Sequence, residues 1–169
     1  TGPQVPPGSV RVLHVCTRYA AGGSERRLRD MVSALPEHEH RLVLGPDSDV
    51  DLARAHLPGV EVTVEPMLRR PLSPWRDAVA LVRLRAVVVE HGSDVVVTHQ
   101  SKAGVLGRLA ARAAGAPPVI HSLSMADFGP GYRSIEDRAF RAIERVLAPW
   151  TAAYAVVGTD LVARFGRIG

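Results

Sequence analysis

The hydrophobic positions of this chain fall into short runs separated by amphipathic stretches. Six runs are apolar almost throughout, as is typical of parallel strands that are covered on both faces. They span residues 11–16, 40–44, 60–64, 94–98, 118–123 and 153–157. Strands that alternate with helices predict an α/β fold in which a parallel sheet is joined by right-handed crossovers.

Four stretches between these runs show the spacing of one apolar helix face. The residues predicted to face the core are Leu28, Met31, Val32 and Leu35; Trp75, Val79, Val82, Ala86 and Val89; Val105, Leu106, Leu109 and Ala113; and Ile135, Ala139, Ala142, Ile143, Val146 and Leu147. On this interpretation Arg83 and Arg108 lie on the solvent-facing sides of their helices.

Capping residues mark the ends of the predicted helices. Ser73 followed by Pro74 predicts an N-cap and a first helical residue, and Gly92 and Gly115 predict C-termini. The link between the second and third strands is irregular and predicts about one helical turn near residues 50–56. Ligands of parallel sheets bind at the carboxyl ends of the strands, so the loops that follow the strands are where binding residues are expected.

Length and composition predict one globular domain with a substantial core. The chain has 169 residues, of which 46% are hydrophobic, and residues 11–169 form the predicted domain. Residues 1–10 are rich in proline and glycine and predict a flexible lead-in. The single cysteine, Cys16, lies in the first strand, which favours a buried thiol and a reducing, cytoplasmic location. No run approaches the ~18 apolar residues of a transmembrane helix.

The charge of the chain permits an anionic partner. The formal net charge is +4, which suits a phosphate-bearing substrate, an acidic membrane surface or nucleic acid; the favoured alternative is solvated helix faces. Nucleic acid is not expected, because the few aromatic residues are not interleaved with arginines. His38 and His40 lack further ligands at zinc spacing, and neither a metal nor another cofactor is implied.

The loop after the first strand reads TRYAAGGSE and opens a helix. Gly22 and Gly23 allow a ligand to approach the backbone closely, and the helix N-terminus attracts anions. Glu25 lies in the first turn and Arg18 earlier in the same loop, and both are candidate binding residues. The alternative is a tight strand-to-helix turn in which Glu25 only complements the helix dipole.

The loops after the fourth and fifth strands carry further candidates. His99 follows the fourth strand, Ser101 could cap the next helix, and Lys102 lies in a first turn where the dipole disfavours a cation. This placement suggests that Lys102 contacts a phosphate or carboxylate; the alternative is a solvated lysine. His121 and Ser124 lie in and after the fifth strand, and a role in catalysis or acceptor binding is weighed against a core histidine at position 121.

These segments together resemble the family-4 retaining glycosyltransferases. GGSE resembles the Gly-Gly-x-Glu signature that opens the first helix of that family. Residues 69–123 resemble its Pro-rich lead, long helix, Asp-Val-Val-x-x-His strand end, Ser-Lys-Ala-Gly helix start and Val-Pro-x-Val-Ile strand. Residues 151–166 resemble the strand and helix before its interdomain linker. The resemblance covers nearly the whole chain beyond residue 10.

The resemblance implies a GT-B enzyme, of which this chain is the N-terminal, Rossmann-like, acceptor-binding half. The C-terminal domain, which holds most of the nucleotide-sugar donor in that family, is absent from this chain. Sugar transfer with retention to a sugar, lipid-linked or small-molecule acceptor is then expected. Gly22 and Gly23 would face the donor phosphates, and Glu25, His99, Ser101 and Lys102 would lie at the cleft edge.

One position departs from the family pattern. Many members carry a His-Gly pair after the fifth strand, where this chain has Ser124 and Met125. His121 lies three residues earlier, so Ser124 and His121 are the catalytic candidates. The departure leaves open a second function, a nonenzymatic Rossmann-like module that binds a phosphorylated or glycan ligand. A nicotinamide-dependent oxidoreductase is disfavoured because the first loop lacks G-x-G-x-x-G.

The stretch PMLRRPLSPW predicts peripheral contact with the inner face of a membrane. Its apolar residues stand beside arginines, which is an amphipathic arrangement. The apolar members are Met67, Leu68, Leu72 and Trp75, and the arginines are Arg69 and Arg70. The alternative is a loop that packs onto its own domain.

Overall fold

The fold was obtained as a computed structural model that describes residues 8–123, 134–156, 158 and 162. Its strands are β1 (Arg11–Cys16), β2 (Glu39–Leu44), β3 (Glu61–Val64), β4 (Val95–His99), β5 (Val119–Leu123) and β6 (Ala153–Val156). Its helices are α1 (Gly23–Ala34), α2 (Val50–His56), α3 (Pro74–His91), α4 (Ser101–Ala113) and α5 (Ser134–Leu147), and a 3₁₀ turn follows at Ala148–Trp150.

The described strands form one parallel sheet in the order β3-β2-β1-β4-β5-β6. The predicted α/β, Rossmann-like parallel sheet is confirmed. Chain order reverses between β1 and β4, where successive strands begin to be added on the other side. Such a reversal opens a crevice at the carboxyl ends of the two strands, which is where ligands of α/β sheets bind.

Helices cover both faces of the sheet, as predicted. Successive side chains of a strand point to opposite faces. Leu13 and Val15 therefore belong to a core cluster shared with α3 and α4, whereas Cys16 joins a second cluster with residues of α1 and α2. Cys16 is buried as expected, and burial raises the pKa of its thiol to about 12. A thiol with so high a pKa is unreactive at neutral pH.

The predicted core face of α3 is wrong. Trp75, Val82 and Val89 are 62%, 66% and 55% exposed, and the buried positions include Leu84 and Val88 instead. The sequence of this helix is apolar on several sides, so two stripes fit the helical period and the sheet selects one of them. Among the residues that the structure describes, no helix is long and apolar enough to cross a bilayer.

The predicted orientations of α4 and α5 are wrong in part, since Ala113 of α4 and Ala139 and Ala142 of α5 were predicted to face the core and are exposed. Arg108 of α4 is fully buried, and its guanidinium donates to Glu144 of α5 at 2.6 and 2.9 Å. Two apolar residues predicted to face the core from α5, Ile143 and Val146, instead line an exposed groove of about 320 Å³ with Val105 and Leu109 of α4. The buried ion pair thus occupies the place where apolar packing was expected.

Helix boundaries follow the predicted signals closely. Gly92 is the C-cap of α3 with φ 61°, and its N–H donates to Val88 and Val89 carbonyls. Ser73 is the N-cap, but its side chain makes no capping bond, and Asp77 accepts from its backbone N–H instead. The irregular link contains α2, capped by the Asp49 carboxylate.

Candidate functional site

The carboxyl ends of three strands meet at one edge of the sheet because β1, β4 and β5 are neighbours and parallel. His99, the last residue of β4, pairs with Cys16 of β1 on one side and with Ser122 of β5 on the other. Adjacent strands lie about 4.8 Å apart. We call the edge formed by residues 17–23, 99–102 and 122–123 the carboxyl rim. The described candidate residues therefore lie in the carboxyl rim or directly beside it.

The glycine loop presents a bare backbone to solvent. Gly22 is the N-cap of α1, Gly23 is its first residue, and both are exposed. A Cβ added at Gly22 would lie 2.9 Å from a carboxylate oxygen of Glu25, which folds back over the start of its own helix. A Cβ added at Gly23 would have no neighbour within 4 Å. Gly22 thus makes room for Glu25, and open space remains beside Gly23.

Gln100 joins the loops after β1 and β4, and sequence reasoning missed it. Its side-chain carbonyl accepts from the Arg18 N–H at 3.1 Å, and its amide donates to the Arg18 carbonyl at 2.8 Å. Its own backbone has φ 68° and ψ 163°, a region that costs side-chain-bearing residues about 1–3 kcal/mol. In the sequence, the one feature that could have pointed to Gln100 was its position between the end of a predicted strand and the start of a predicted helix.

The N-terminus of α4 is capped from another strand. The Thr17 hydroxyl accepts from the Ala103 N–H at 3.0 Å, so Thr17 satisfies one of the free N–H groups of this helix. The N-cap residue is Gln100 rather than Ser101, which is the first helical residue and half-buried. The expected cap at Ser101 is therefore wrong, and α4 is attached to the β1 loop by this bond and by the amide of Gln100.

Lys102 contacts groups of its own chain. Its ammonium nitrogen lies 2.6 Å from a carboxylate oxygen of Asp77 and 2.6 Å from the Pro71 carbonyl oxygen. Asp77 belongs to the first turn of α3. The lysine therefore ties the start of α4 to the start of α3, and a negative charge compensates it locally.

The two histidines of the site lie on opposite faces of the sheet, and both are buried. His99 is 2% exposed on the face that carries α1; His121 is 1% exposed beneath α4, where a side chain at Gly104 would overlap its ring. Burial lowers the pKa of each to about 3, so both rings are neutral at pH 7. The position of His121 favours the core-histidine alternative, and Ser124 lies outside the described residues.

Arg27 of α1, beside the carboxyl rim, is a second residue that the sequence did not single out. Its guanidinium donates to the Leu123 carbonyl at 2.7 Å and to the Ser122 hydroxyl at 3.2 Å, with a longer contact to Ala155 of β6. It lies between two other arginines of α1, Arg26 and Arg29, so no local pattern distinguishes it. The contact fixes α1, and with it the glycine loop, against the ends of β5 and β6.

No metal centre is found in this region. Within residues 8–123 and 134–156, no group of three or more His, Cys, Asp or Glu side chains is arranged to hold a metal ion. The described rim offers backbone N–H groups, the guanidinium of Arg18 and the neutral ring of His99, with Arg27 beside them.

Comparison with known proteins places these features in a family. Residues 22–169 match the model of the glycosyl transferase 4-like domain. The chain is 31% identical over 121 residues to the UDP-Gal:alpha-D-GlcNAc-diphosphoundecaprenol alpha-1,3-galactosyltransferase of Escherichia coli. That alignment covers 68% of this chain and 30% of the relative, so the chain spans less than a third of the relative's length.

Solved structures share the fold at low sequence identity. UDP-GlcNAc 2-epimerase from Methanocaldococcus jannaschii superposes with a TM-score of 0.64 at 11% identity, over 92% of this chain and 42% of that one. MurG of Acinetobacter baumannii gives 0.62 at 13% identity, over 88% and 41%. Such identities show the fold alone, which is the Rossmann-like fold found in GT-B enzymes. The family match supplies what the fold does not: this chain belongs to the glycosyl transferase 4-like domain family.

Proposed function

We propose that this chain is the acceptor-side, N-terminal domain of a retaining glycosyltransferase that moves a sugar from a nucleotide-sugar donor to an acceptor. The observation that supports this most directly is the carboxyl rim, where the open backbone at Gly23 stands beside the loop after β4. In this proposal a C-terminal domain outside the chain holds most of the donor. Cleft closure would bring the donor diphosphate to the glycine loop.

The name of the relative supports a chemical class for both substrates. Its donor is UDP-Gal and its acceptor is a GlcNAc unit on diphosphoundecaprenol. We therefore propose a UDP-sugar donor and a lipid-diphosphate-linked sugar acceptor. As the bond to the sugar breaks, the leaving diphosphate gains charge. Backbone N–H groups and cationic side chains stabilise that charge without a metal ion.

The candidate residues then divide by their surroundings. Gly22, Gly23 and the exposed Arg18 can approach a phosphate, and His99 and Ser101 lie next to them in the rim. Lys102 and Glu25 stay predictions as binding residues: Lys102 is paired with Asp77, and Glu25 is buried against its own helix. Catalytic roles for Ser124 and His121 also stay predictions, and the buried ring at 121 gives no support to one.

Isothermal titration of this chain tests the division of labour. The acceptor GlcNAc-diphosphoundecaprenol in detergent should bind measurably, and UDP-galactose alone should bind weakly. Gly23→Val should weaken any binding at the glycine loop and leave the urea unfolding curve unchanged, because the new side chain meets no neighbour. Ala34→Val, at an exposed position at the opposite end of α1, is the control for an added β-branched side chain, because Gly59 and the other open glycines have positive φ. Tight binding of UDP-galactose by this chain alone would contradict the proposal.

We also propose peripheral contact with a membrane through part of the stretch 66–75. Leu72 and Trp75 are 86% and 62% exposed, which favours contact with lipid at these two residues. Leu68 is fully buried and Met67 packs against the core, so half of the predicted apolar set faces inward. Arg70 is exposed beside them and could attract anionic headgroups.

A further inference from the structure

Three histidines form a hydrogen-bonded row across the sheet, on the face that carries α1. His40 of β2, His14 of β1 and His99 of β4 are 8%, 0% and 2% exposed. His99 Nε2 lies 3.2 Å from His14 Nδ1, and His14 Nε2 lies 3.1 Å from His40 Nδ1. At the far end, His40 Nε2 lies 2.9 Å from the Leu35 carbonyl oxygen at the C-terminus of α1.

The carbonyl at one end sets the direction of every hydrogen bond in the row. A carbonyl oxygen only accepts, so the Leu35 contact requires a proton on His40 Nε2. A neutral His40 then has a bare Nδ1, which accepts from His14 Nε2–H. His14 Nδ1 is bare in turn and accepts from His99 Nε2–H. When all three rings are neutral, each therefore carries its single proton on Nε2.

Burial keeps the rings at the centre and the rim end neutral. The pKa of His14 is well below its usual value because of burial, and next because of His99 and His40. The pKa of His99 is about 3, again mainly through burial, with smaller lowering contributions from His121 and Arg27. An additional proton on either ring would place an uncompensated charge between the sheet and α1, which is costly.

The row leaves one ring nitrogen available, and that nitrogen lies at the carboxyl rim. His99 Nδ1 makes no hydrogen bond to any residue in the described part of the chain. The opposite tautomer of His99 would bring two lone pairs together at the 3.2 Å contact with His14. A bare Nδ1 accepts a hydrogen bond from a hydroxyl or amide group, but it offers nothing to a phosphate or carboxylate oxygen.

We propose that His14 and His40 are positioning residues that hold His99 as the Nε2–H tautomer, so that His99 accepts a hydrogen bond from a hydroxyl of the bound sugar. This assignment rests on the proposed function, and it narrows the role of His99 from general substrate binding to sugar hydroxyl recognition. Anion binding is then left to the glycine loop and the arginines. The same rim thus separates sugar contacts from phosphate contacts.

Nitrogen-15 NMR of the whole chain, labelled at histidine, reads the tautomer directly. In the wild-type chain at pH 7, His99 should show a protonated Nε2 and an unprotonated Nδ1. His40→Phe removes the acceptor of His14 and should let His99 populate both tautomers. His38→Phe, a nearby histidine outside the row, should leave His99 unchanged. A protonated Nδ1 in the wild type would overturn the inference even if the variant does not fold, as would a His99 signal unaffected in a folded His40→Phe.

A second arm tests the contact with sugar. Methyl N-acetylglucosaminide, which offers hydroxyls, should shift the His99 Nδ1 resonance, and inorganic phosphate should not. A shift with phosphate, or none with the sugar, would remove the hydroxyl contact from the inference. Since the tautomer is read without ligand or turnover, its failure would leave the proposed sugar transfer standing. A chain with the expected tautomer but no acceptor binding by titration would instead count against the proposed function.

Discussion

Gln100 has an unfavourable backbone conformation and makes two side-chain hydrogen bonds, and substitutions can separate the energetic cost of the first from the gain of the second. Its φ of 68° with ψ of 163° belongs to a region that side-chain-bearing residues rarely adopt, at a cost of about 1–3 kcal/mol. Its two bonds to the Arg18 backbone contribute about 0.5–1.5 kcal/mol each. The strain of the backbone and the energy of the two hydrogen bonds are of similar size, so they nearly cancel in the wild-type chain.

Alanine and glycine at position 100 both remove the two side-chain hydrogen bonds, but only glycine relieves the backbone strain. Gln100→Ala keeps the strain and should lower the free energy of unfolding by about 1–3 kcal/mol. Gln100→Gly relieves about 1–3 kcal/mol of strain, of which about 0.4–1 kcal/mol is offset by the greater freedom of glycine in the unfolded chain. The glycine variant should therefore be more stable than the alanine variant by about 1–2 kcal/mol, the middle of that range.

Urea unfolding followed by circular dichroism measures this difference, provided that the slopes with urea agree. Ala116→Gly is the matched control, because Ala116 is the other non-glycine residue with positive φ in the described chain. It lies just after α4, away from the carboxyl rim, and glycine there removes no side-chain hydrogen bond. It should gain stability over the wild type. An alanine variant at 100 that equals or exceeds the glycine variant would refute the strain argument.

Three other outcomes follow from buried charge, buried histidine and exposed apolar side chains. Arg108→Met leaves the Glu144 carboxylate unpaired and should lower the free energy of unfolding by about 3–5 kcal/mol. Adding Glu144→Leu should restore most of that loss. Additive losses of the two substitutions in urea unfolding would contradict a buried pair. His99 has a folded pKa of about 3 against an unfolded value of 6.5, so the unfolded chain binds more protons between these values. The stability that the neutral His99 contributes is therefore complete above pH 6.5 and is lost as the pH falls toward 3. Between pH 7 and pH 5 the free energy of unfolding should fall by on the order of 2 kcal/mol per such ring. Equal free energies of unfolding at the two pH values would contradict this argument. Replacing Leu72 and Trp75 by serine should reduce flotation with anionic vesicles without changing stability, since both side chains are exposed; absence of the wild type from vesicles at low salt would end the membrane proposal.

The sheet and the position of the rim could be predicted because they depend on local pattern. Strands covered on both faces are apolar at nearly every position, and no described strand bound differs from the predicted run by more than one residue. Once the strands are parallel and joined by right-handed crossovers, their carboxyl ends must share an edge. The convergence of the loops carrying Gly23 and His99 follows from that geometry alone.

The orientation of the helices could not be predicted, because an apolar stripe does not say what covers it. Val82 and Val89 of α3 satisfy the helical period as well as Leu84 and Val88 do. The burial of Arg108 could not be recognised from its own helix, because its partner, Glu144, lies 36 residues away on another helix. A buried charge is tolerable only when its partner is present. That information is non-local.

The same non-local bonds decide how the glycine loop can meet a ligand. Gln100 holds the loop from the β4 side through the Arg18 backbone, and Arg27 holds α1 from the β5 side through the Leu123 carbonyl. Only residues 19–22 lie between Arg18 and the first residue of α1, Gly23. In the proposed function, a loop fixed at both ends would lose little conformational entropy on binding a diphosphate, which would leave more of the contact energy for binding. Two glycines can thus provide close approach without the flexibility that glycine usually brings.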